Sequence, residues 1–387
     1  MLFPSDHDLQ IGEEGRTQEG VRSDQQLLDQ FMAEGLQARE SALGFPVNLD
    51  FDHRSLAGFL GLHANNVGSP HDESQYHLNT KPLERAVVSF FADLAGAVPG
   101  TAFGYVSNGG TESNIFGVYV GRERYPDAVL YASTQAHYSV PKIARLLRMD
   151  YAEVDVLPDA AMDPDSLQAR CRENPGRAAV VVATIGTTGQ GAVDDLISLG
   201  AALRQAGVDR FHLHADAAFG GPIAALGPLP RAWGFTAGAD SIAISGHKMI
   251  GSPVPSGIVL ARADLVAGIR EPGVAVGADD DTISGSRDAL ASALLWRELR
   301  RLGRRGLADR VKHCVRTAEY AAERLQACGR NPSYVPGSNT VLFDAPSQNL
   351  CDRWALLHDG GRAHLNTMPH VERKHIDALC RDLEATQ

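Results

Sequence analysis

The sequence contains no apolar stretch approaching the length of a membrane span, no excess of positive charge and no paired cysteines. The first lack removes any hydropathy signal for a transmembrane helix. The formal net charge of −11 argues against nucleic acid or an anionic membrane surface as the main partner. One local basic cluster, Arg300, Arg301, Arg304 and Arg305, reads as a solvated helix face. The five cysteines (Cys171, Cys314, Cys328, Cys351 and Cys380) are odd in number and scattered, without CxxC spacing. A disulfide framework and zinc ligation are both disfavoured, and no metal is expected. The beginning, Met1-Leu-Phe-Pro-Ser-Asp6, lacks a basic segment followed by an apolar one, so the expected location is cytoplasmic.

What is present is enough for a large core: 387 residues, 44% of them hydrophobic, suggest two or three structural units. Residues 1 to about 45 are polar, and a weakly periodic stretch, Leu27, Leu28, Phe31 and Met32, predicts a helix that packs on another subunit. Apolar spacing over 83–94 predicts an amphipathic helix. Short apolar runs at 128–132, 178–184, 211–214 and 241–244 predict strands, the second being continuously apolar and β-branched as strands buried on both faces are. Helices are expected between them at 113–124, 139–148 and 194–206. This alternation predicts an α/β fold with a mostly parallel sheet covered on both sides, its ligand site beyond the carboxyl ends of the strands. Two long helices, 287–303 and 307–328, a strand at 340–343 and a last helix near 371–384 predict a smaller C-terminal unit. Glu271-Pro-Gly273 reads as a hinge, and the acidic, glycine-rich stretch to Gly285 as a mobile loop. The expected partition is 1–48 (arm), 49–285 (large domain) and 286–387 (small domain).

Four segments carry candidate chemistry. Ser245-Gly-His-Lys248 follows a strand-like run, which places a lysine amine to form an imine with an aldehyde cofactor, with Ser245 and His247 as hydrogen-bond donors to a phosphate. An exposed surface lysine is the competing reading. In His214-Ala-Asp216-Ala-Ala218 an acid ends a buried strand, where it needs a cationic partner such as a pyridinium nitrogen. A helix N-cap is the alternative. Ser107-Asn-Gly-Gly-Thr-Glu-Ser-Asn114 offers a tight turn through Gly109 and Gly110, the free N–H groups of a helix start, and the Thr111 hydroxyl. Many helices begin so, and the spacing matches neither the dinucleotide nor the Walker fingerprint. His137 in Ala136-His-Tyr-Ser-Val140 presents an imidazole that can stack on a ring or reach a carboxylate, with a core or capping histidine as the plain reading. Each segment is weak alone. Together they supply a phosphate cradle, a stacking imidazole, a pyridinium acid and an imine lysine, all at predicted strand ends on one sheet edge.

These segments, with Thr184-Ile-Gly-Thr-Thr188 and Ser245-Gly-His-Lys-Met-Ile-Gly-Ser-Pro253, resemble the group II pyridoxal-phosphate (PLP) dependent amino-acid decarboxylases, most of all the branch holding bacterial histidine decarboxylase and plant serine decarboxylase. Further stretches agree: Asn65-Asn66, Tyr76-His-Leu-Asn-Thr80, Arg122-Glu-Arg-Tyr-Pro-Asp127, Ser284-Gly-Ser-Arg287 and Thr367-Met-Pro-His370. The resemblance runs from about residue 45 to the end. It implies a fold type I (aspartate-aminotransferase-like) architecture with a seven-stranded-type sheet, and a homodimer with active sites at the interface. Carried over by position, it implies Lys248 as the imine lysine, Asp216 as the pyridinium partner and His137 as the stacking residue. Gly109, Gly110, Thr111, Ala218, Ser245 and His247 would complete the cofactor site, and His137, Asn66 and His63 would face the substrate.

The segment before the Asn-Asn pair usually carries an aromatic and a serine in this family, whereas here it reads Leu62-His63-Ala64. Gly68-Ser-Pro-His-Asp-Glu-Ser74 also differs, bringing His71, Asp72 and Glu73; if this loop lines the pocket, histidine itself need not be the substrate, and the expected one is a histidine-like or other small or polar amino acid. Asp279-Asp-Asp281 reads as a solvated loop. Competing classes are a related PLP lyase or transferase, including a cysteine desulfurase that would need a mobile nucleophilic cysteine, and a non-catalytic subunit of the same fold.

Overall fold

A computed structural model describes residues 9–11 and 15–385. The expected mobile beginning falls partly on residues outside that set. Seven strands form the large sheet: β1 (Ala102–Ser107), β2 (Val129–Ser133), β3 (Asp150–Val154), β4 (Ala179–Thr184), β5 (Phe211–Asp216), β6 (Ser241–Ser245) and β7 (Gly257–Arg262). Their order is β1-β7-β6-β5-β4-β2-β3. Only β7 runs against the rest, pairing antiparallel with both β1 and β6, while β6-β5, β5-β4, β4-β2 and β2-β3 are parallel. The central strands are buried along their length because helices cover both faces. That is why β4 reads as the unbroken apolar run Ala179-Val-Val-Val-Ala183.

The small C-terminal sheet is antiparallel: β8 (Ser333–Tyr334), β9 (Thr340–Asp344), β10 (Leu357–Asp359) and β11 (Arg362–Asn366), in the order β10-β11-β9-β8. The expected pair of long helices is one helical run, Ala289–Ala327, broken where predicted: Gly303 leaves helical geometry at φ 60°, ψ −178°. This run starts on an Asp288 cap that accepts from the N–H groups of Leu290 and Ala291. It packs against helix Lys81–Leu94 beside the large sheet and against the last helix, Arg373–Ala385, of the small unit.

A buried ion pair ties the segment leading into the long helix to the large unit. Arg287 donates to Glu84 (3.0 Å) with both side chains sealed from solvent, and Glu84 also accepts from the Val106 N–H and the Asn66 amide. Asn66, expected to face the substrate, is fully buried here: its amide reaches Glu84 and Ser292, and its oxygen accepts from the Thr80 N–H. It is a clamp between segments, and its polar atoms are already committed.

The acidic loop also differs from expectation. Asp281 is buried and accepts from Ser69, Asp279 pairs with Arg270, and Asp280 holds Thr282. Reciprocal backbone bonds between Glu271 and Asp280 (2.8 Å each) close the segment into a loop fastened at its base. The stretch is therefore neither fully solvated nor an open hinge, because Asp281 finds a donor far away in sequence at Ser69 while Asp279 and Asp280 are held within the loop by Arg270 and Thr282. The four arginines 300, 301, 304 and 305 are exposed, two of them paired with Glu298 and Asp93.

Candidate active site

A cavity of about 230 Å³ opens beyond the carboxyl ends of β1, β2, β4, β5 and β6. Its wall contains Gly110, Thr111, His137, Asp216, Ala218, Ser245, His247 and Lys248, eight residues singled out by sequence, together with Asn114, Tyr138, Thr184, Gly186, Thr188 and Phe219.

Each side chain arrives there because a strand has just ended. Lys248 lies in a short irregular helical turn, Gly246–Ile250, directly after β6, and its Nζ sits 5.6 Å from the centre of the Phe219 ring. Burial lowers the amine below its usual range, and Asp216 pulls the other way. Among the described residues no carboxylate forms an ion pair with this amine. Asp216 is the last residue of β5 and is 5% exposed. It accepts from Asn114 Nδ2 (2.7 Å) and from the Ala218 N–H (3.2 Å), which leaves lone pairs over for a further donor.

The phosphate-sized end is formed by the start of helix Gly110–Arg124. Gly109 precedes it at φ 139°, ψ 176°, a conformation L side chains rarely adopt. A Cβ on Gly110 would lie 2.9 Å from Ser245 Oγ and 3.2 Å from Ala218 Cβ, so glycine keeps this corner open. Free helix-start N–H groups, the Thr111 and Ser245 hydroxyls and the His247 ring surround it. The His247 Nδ1 side is fixed by the Ser256 backbone (3.0 and 3.2 Å). Gly109 itself shapes the turn and is not part of the cavity wall.

His137 stands after β2, with Nδ1 held 2.7 Å from Ser139 Oγ and Nε2 left for other partners. Burial lowers its pKa, Asp216 raises it and Lys248 lowers it, so the imidazole favours the neutral form. The neighbouring Tyr138 ring, 4.1 Å away centre to centre, is exposed at the rim. His63 is also exposed, beside Tyr76 and outside the cavity of its own chain. The His71–Glu73 segment does not reach the cavity either. His71 packs near Phe103, and Asp72 pairs with Arg270.

Sequence reasoning passed over Asn114 and Thr184. Asn114 is one helical turn beyond Gly110 and so on the same face, a spacing that marks it in retrospect. Thr184 ends β4, and its Oγ1 is buried without a partner. A buried orphan hydroxyl, an amine without a counter-ion, an acid with spare acceptor capacity and an anion-receptive helix start together fit a phosphorylated pyridine aldehyde. The thiols do not enter: all five cysteines are buried, and burial pushes Cys171 to about 11 and Cys314 and Cys380 to about 12. A desulfurase-type nucleophile is thereby excluded.

Comparison with known proteins agrees with this chemistry. The model of the pyridoxal-dependent decarboxylase conserved domain matches residues 56–335. Histidine decarboxylase of Pseudomonas fluorescens is 40% identical over 367 residues, covering 94% of this chain and 91% of that protein. The Acinetobacter baumannii (strain ACICU) histidine decarboxylase is 38% identical over 93% of this chain and 95% of its own length. Among solved structures, L-methionine decarboxylase from Streptomyces sp.590 superposes with a TM-score of 0.88 at 23% identity, over 99% of this chain and 98% of that one. Sphingosine-1-phosphate lyase from Burkholderia pseudomallei K96243 gives 0.78 at 20% identity, over 97% and 92%. These two likenesses carry the fold, which is fold type I. The chain belongs to the pyridoxal-dependent decarboxylase family and is a carboxy-lyase of amino acids that uses pyridoxal 5′-phosphate.

Proposed function

We propose that this enzyme decarboxylates histidine, or an L-amino acid of similar size and polarity, to the corresponding amine, with Lys248, Asp216 and His137 as its catalytic residues. The observation that carries the reading is a lysine amine, disfavoured as a cation by burial, sharing one cavity with an acid that ends the neighbouring strand. The two proteins of 38–40% identity compared above are histidine decarboxylases, which supports the substrate.

In this reading Lys248 is the covalent attachment point, its lowered pKa enlarging the share of nucleophilic free amine. Bound pyridoxal 5′-phosphate supplies an aldehyde carbon for the substrate amine and an electron-poor ring that accepts the electrons of the Cα–carboxylate bond as carbon dioxide leaves. Asp216 stabilises positive charge at the ring nitrogen. His137, its Nδ1 held by Ser139, would stack on the cofactor ring and offer Nε2 to the substrate. Gly110, Thr111, Ala218, Ser245 and His247 would enclose the phosphate end, with Gly109 shaping the turn that leads into it. Residues that orient the carboxylate bond, and not Cα–H, for cleavage would favour decarboxylation over transamination.

The working unit in this proposal is a homodimer in the cytoplasm. Helix Gln18–Ala38 buries none of its residues within its own chain, and Leu28, Met32 and Leu36 are 55–61% exposed, which supports burial against a second copy. None of the described helices is long and apolar enough to cross a membrane. The partition at residues 48 and 285 remains part of the proposal.

Incubating the holoenzyme with each free amino acid and detecting amines by mass spectrometry tests this reading. Histamine as the dominant product is expected. No amine from any amino acid, despite bound cofactor, would support the non-catalytic subunit instead.

A further inference from the structure

The cavity accounts for Asp216 but not for the two histidines behind it. His212, His214 and Asp216 occupy alternate positions of β5 and so share one face of the sheet. Helix Gly110–Arg124 covers that face. A Cβ on Gly117 would fall inside the His214 imidazole, and one on Gly121 would lie 2.9 Å from His212 Cγ, so two glycines let the helix close over the rings. Both histidines are fully buried, and desolvation drives each down to about 3, so both are neutral.

Their hydrogen bonds form a chain with a single sense. Asn114 lies 2.7 Å from Asp216 Oδ2 through Nδ2, and a carboxylate oxygen accepts only from the amide N–H side. Asn114 Oδ1 then faces His214 Nε2 at 2.9 Å, so Nε2 carries the proton. A neutral His214 has a bare Nδ1, which is 2.8 Å from Ser241 Oγ and must receive its hydrogen. Ser241 has only one hydrogen to give, so the 2.7 Å contact from His212 Nε2 is donated by His212. Donors therefore run from His212 to Ser241, His214, Asn114 and Asp216. His212 Nδ1, at the far end, is buried without a partner, as the terminal lone pair of such a chain.

We infer that His214, acting through Asn114 and backed by Ser241 and His212, is a positioning residue that sets the direction of hydrogen bonding onto Asp216 and so the charge held at the cofactor ring nitrogen. This rests on the reading of Asp216 as the partner of that nitrogen. Every dipole in the chain points its positive end toward the carboxylate, and successive bonds polarise one another in a water-free interior. Without a donor at His214 Nε2, the Asn114 oxygen is left unpartnered in the interior, and the amide is held only by its bond to Asp216.

The test is the ¹⁵N resonance of ring-labelled cofactor in the holoenzyme, together with the dissociation constant of the cofactor. In His214→Leu the ring-nitrogen signal moves toward that of unprotonated pyridine, and binding weakens about tenfold, the scale of one hydrogen bond to a charged group. His214→Gln supplies an amide N–H to Asn114 and an oxygen to Ser241, and restores both readings to within about threefold of the parent. A folded His214→Leu variant that loses thermal stability but keeps the parent resonance and affinity overturns the inference, since a packing role predicts that result. If His214→Leu does not fold, Ser241→Ala decides, because it removes the donor to His214 Nδ1 and so weakens the polarisation passed along the chain to Asp216. A smaller shift in the same direction supports the inference, and no shift overturns it. An unprotonated ring nitrogen in the parent enzyme would instead sink the reading of Asp216 itself.

Discussion

Asn114 Nδ2 donates to Asp216 Oδ2 across 2.7 Å, although 102 residues separate the two in the chain. The bond is buried and charge-assisted, the class worth about 1.5–3 kcal/mol. Asn114→Leu should therefore weaken cofactor affinity by about tenfold or more while retaining the fold, measured by titrating apoenzyme with cofactor and by circular dichroism. Unchanged affinity would show that Asp216 needs no help from this helix.

Gly110 offers a second check on the same cavity. Its missing Cβ leaves the space beside Ser245 Oγ and Ala218 Cβ. Alanine is a better helix former than glycine, so Gly110→Ala should not harm the helix. Crowding of the cradle costs about 1–3 kcal/mol, so cofactor binding is expected to weaken about tenfold with little change in Tm. A loss of Tm without a loss of affinity would place the constraint in the fold and not in the cradle.

Much of this arrangement is legible in sequence because it is local. The apolar run before Thr184, the acid closing the strand at Asp216 and the lysine just after Ser245 mark strand ends directly, and parallel sheets gather strand ends on one edge. What escaped notice depends on distant partners. Asn66 looks like a pocket residue until Glu84, Thr80 and Ser292 take up its amide. Asp281 looks solvated until Ser69, 212 positions away, covers it. The histidines of β5 read as ordinary strand residues, because only the approach of helix Gly110–Arg124 through Gly117 and Gly121 makes them a polar chain. The strands β3 and β7 are likewise not among those expected from the sequence. Asp150-Tyr-Ala-Glu-Val154 is an edge strand with exposed positions, too mixed in polarity for a clear period.

Acid should destabilise the protein through the same histidines. His212 and His214 have native pKa values near 3 against an ordinary 6.5, so between these limits the unfolded chain binds protons that the native state refuses. Stability then rises with pH across that window, by about 1.4 kcal/mol per unit for each histidine. Asp194, raised to about 7 by burial, and Asp240 and Asp281, also raised by burial, act in the opposite sense, while burial lowers His137, His247, His364 and His370 alongside the two β5 histidines. Urea midpoints of the parent should fall as pH drops from 6.5 to 4, and His214→Gln should flatten that slope. An unchanged slope in the variant would mean that His214 is not neutral in the native state.

The Arg287–Glu84 pair predicts a large stability effect away from the cavity. Its side chains are 1% and 0% exposed, so removing one partner strands the other's charge in the interior. Arg287→Met should cost about 3–5 kcal/mol in denaturant unfolding, and adding Glu84→Gln should recover part of it. A cost below about 1 kcal/mol, the range of surface pairs, would contradict the buried clamp.

Reduction with borohydride followed by peptide mapping tests the central assignment most directly. The sequence has only five lysines, Lys81, Lys142, Lys248, Lys312 and Lys374, so the attachment site can be read without ambiguity. The reduced holoenzyme should carry the cofactor on the peptide containing Lys248, and Lys248→Ala should lose both the adduct and carbon dioxide release. An adduct on any of the other four lysines, or sustained turnover by Lys248→Ala, would contradict the assignment.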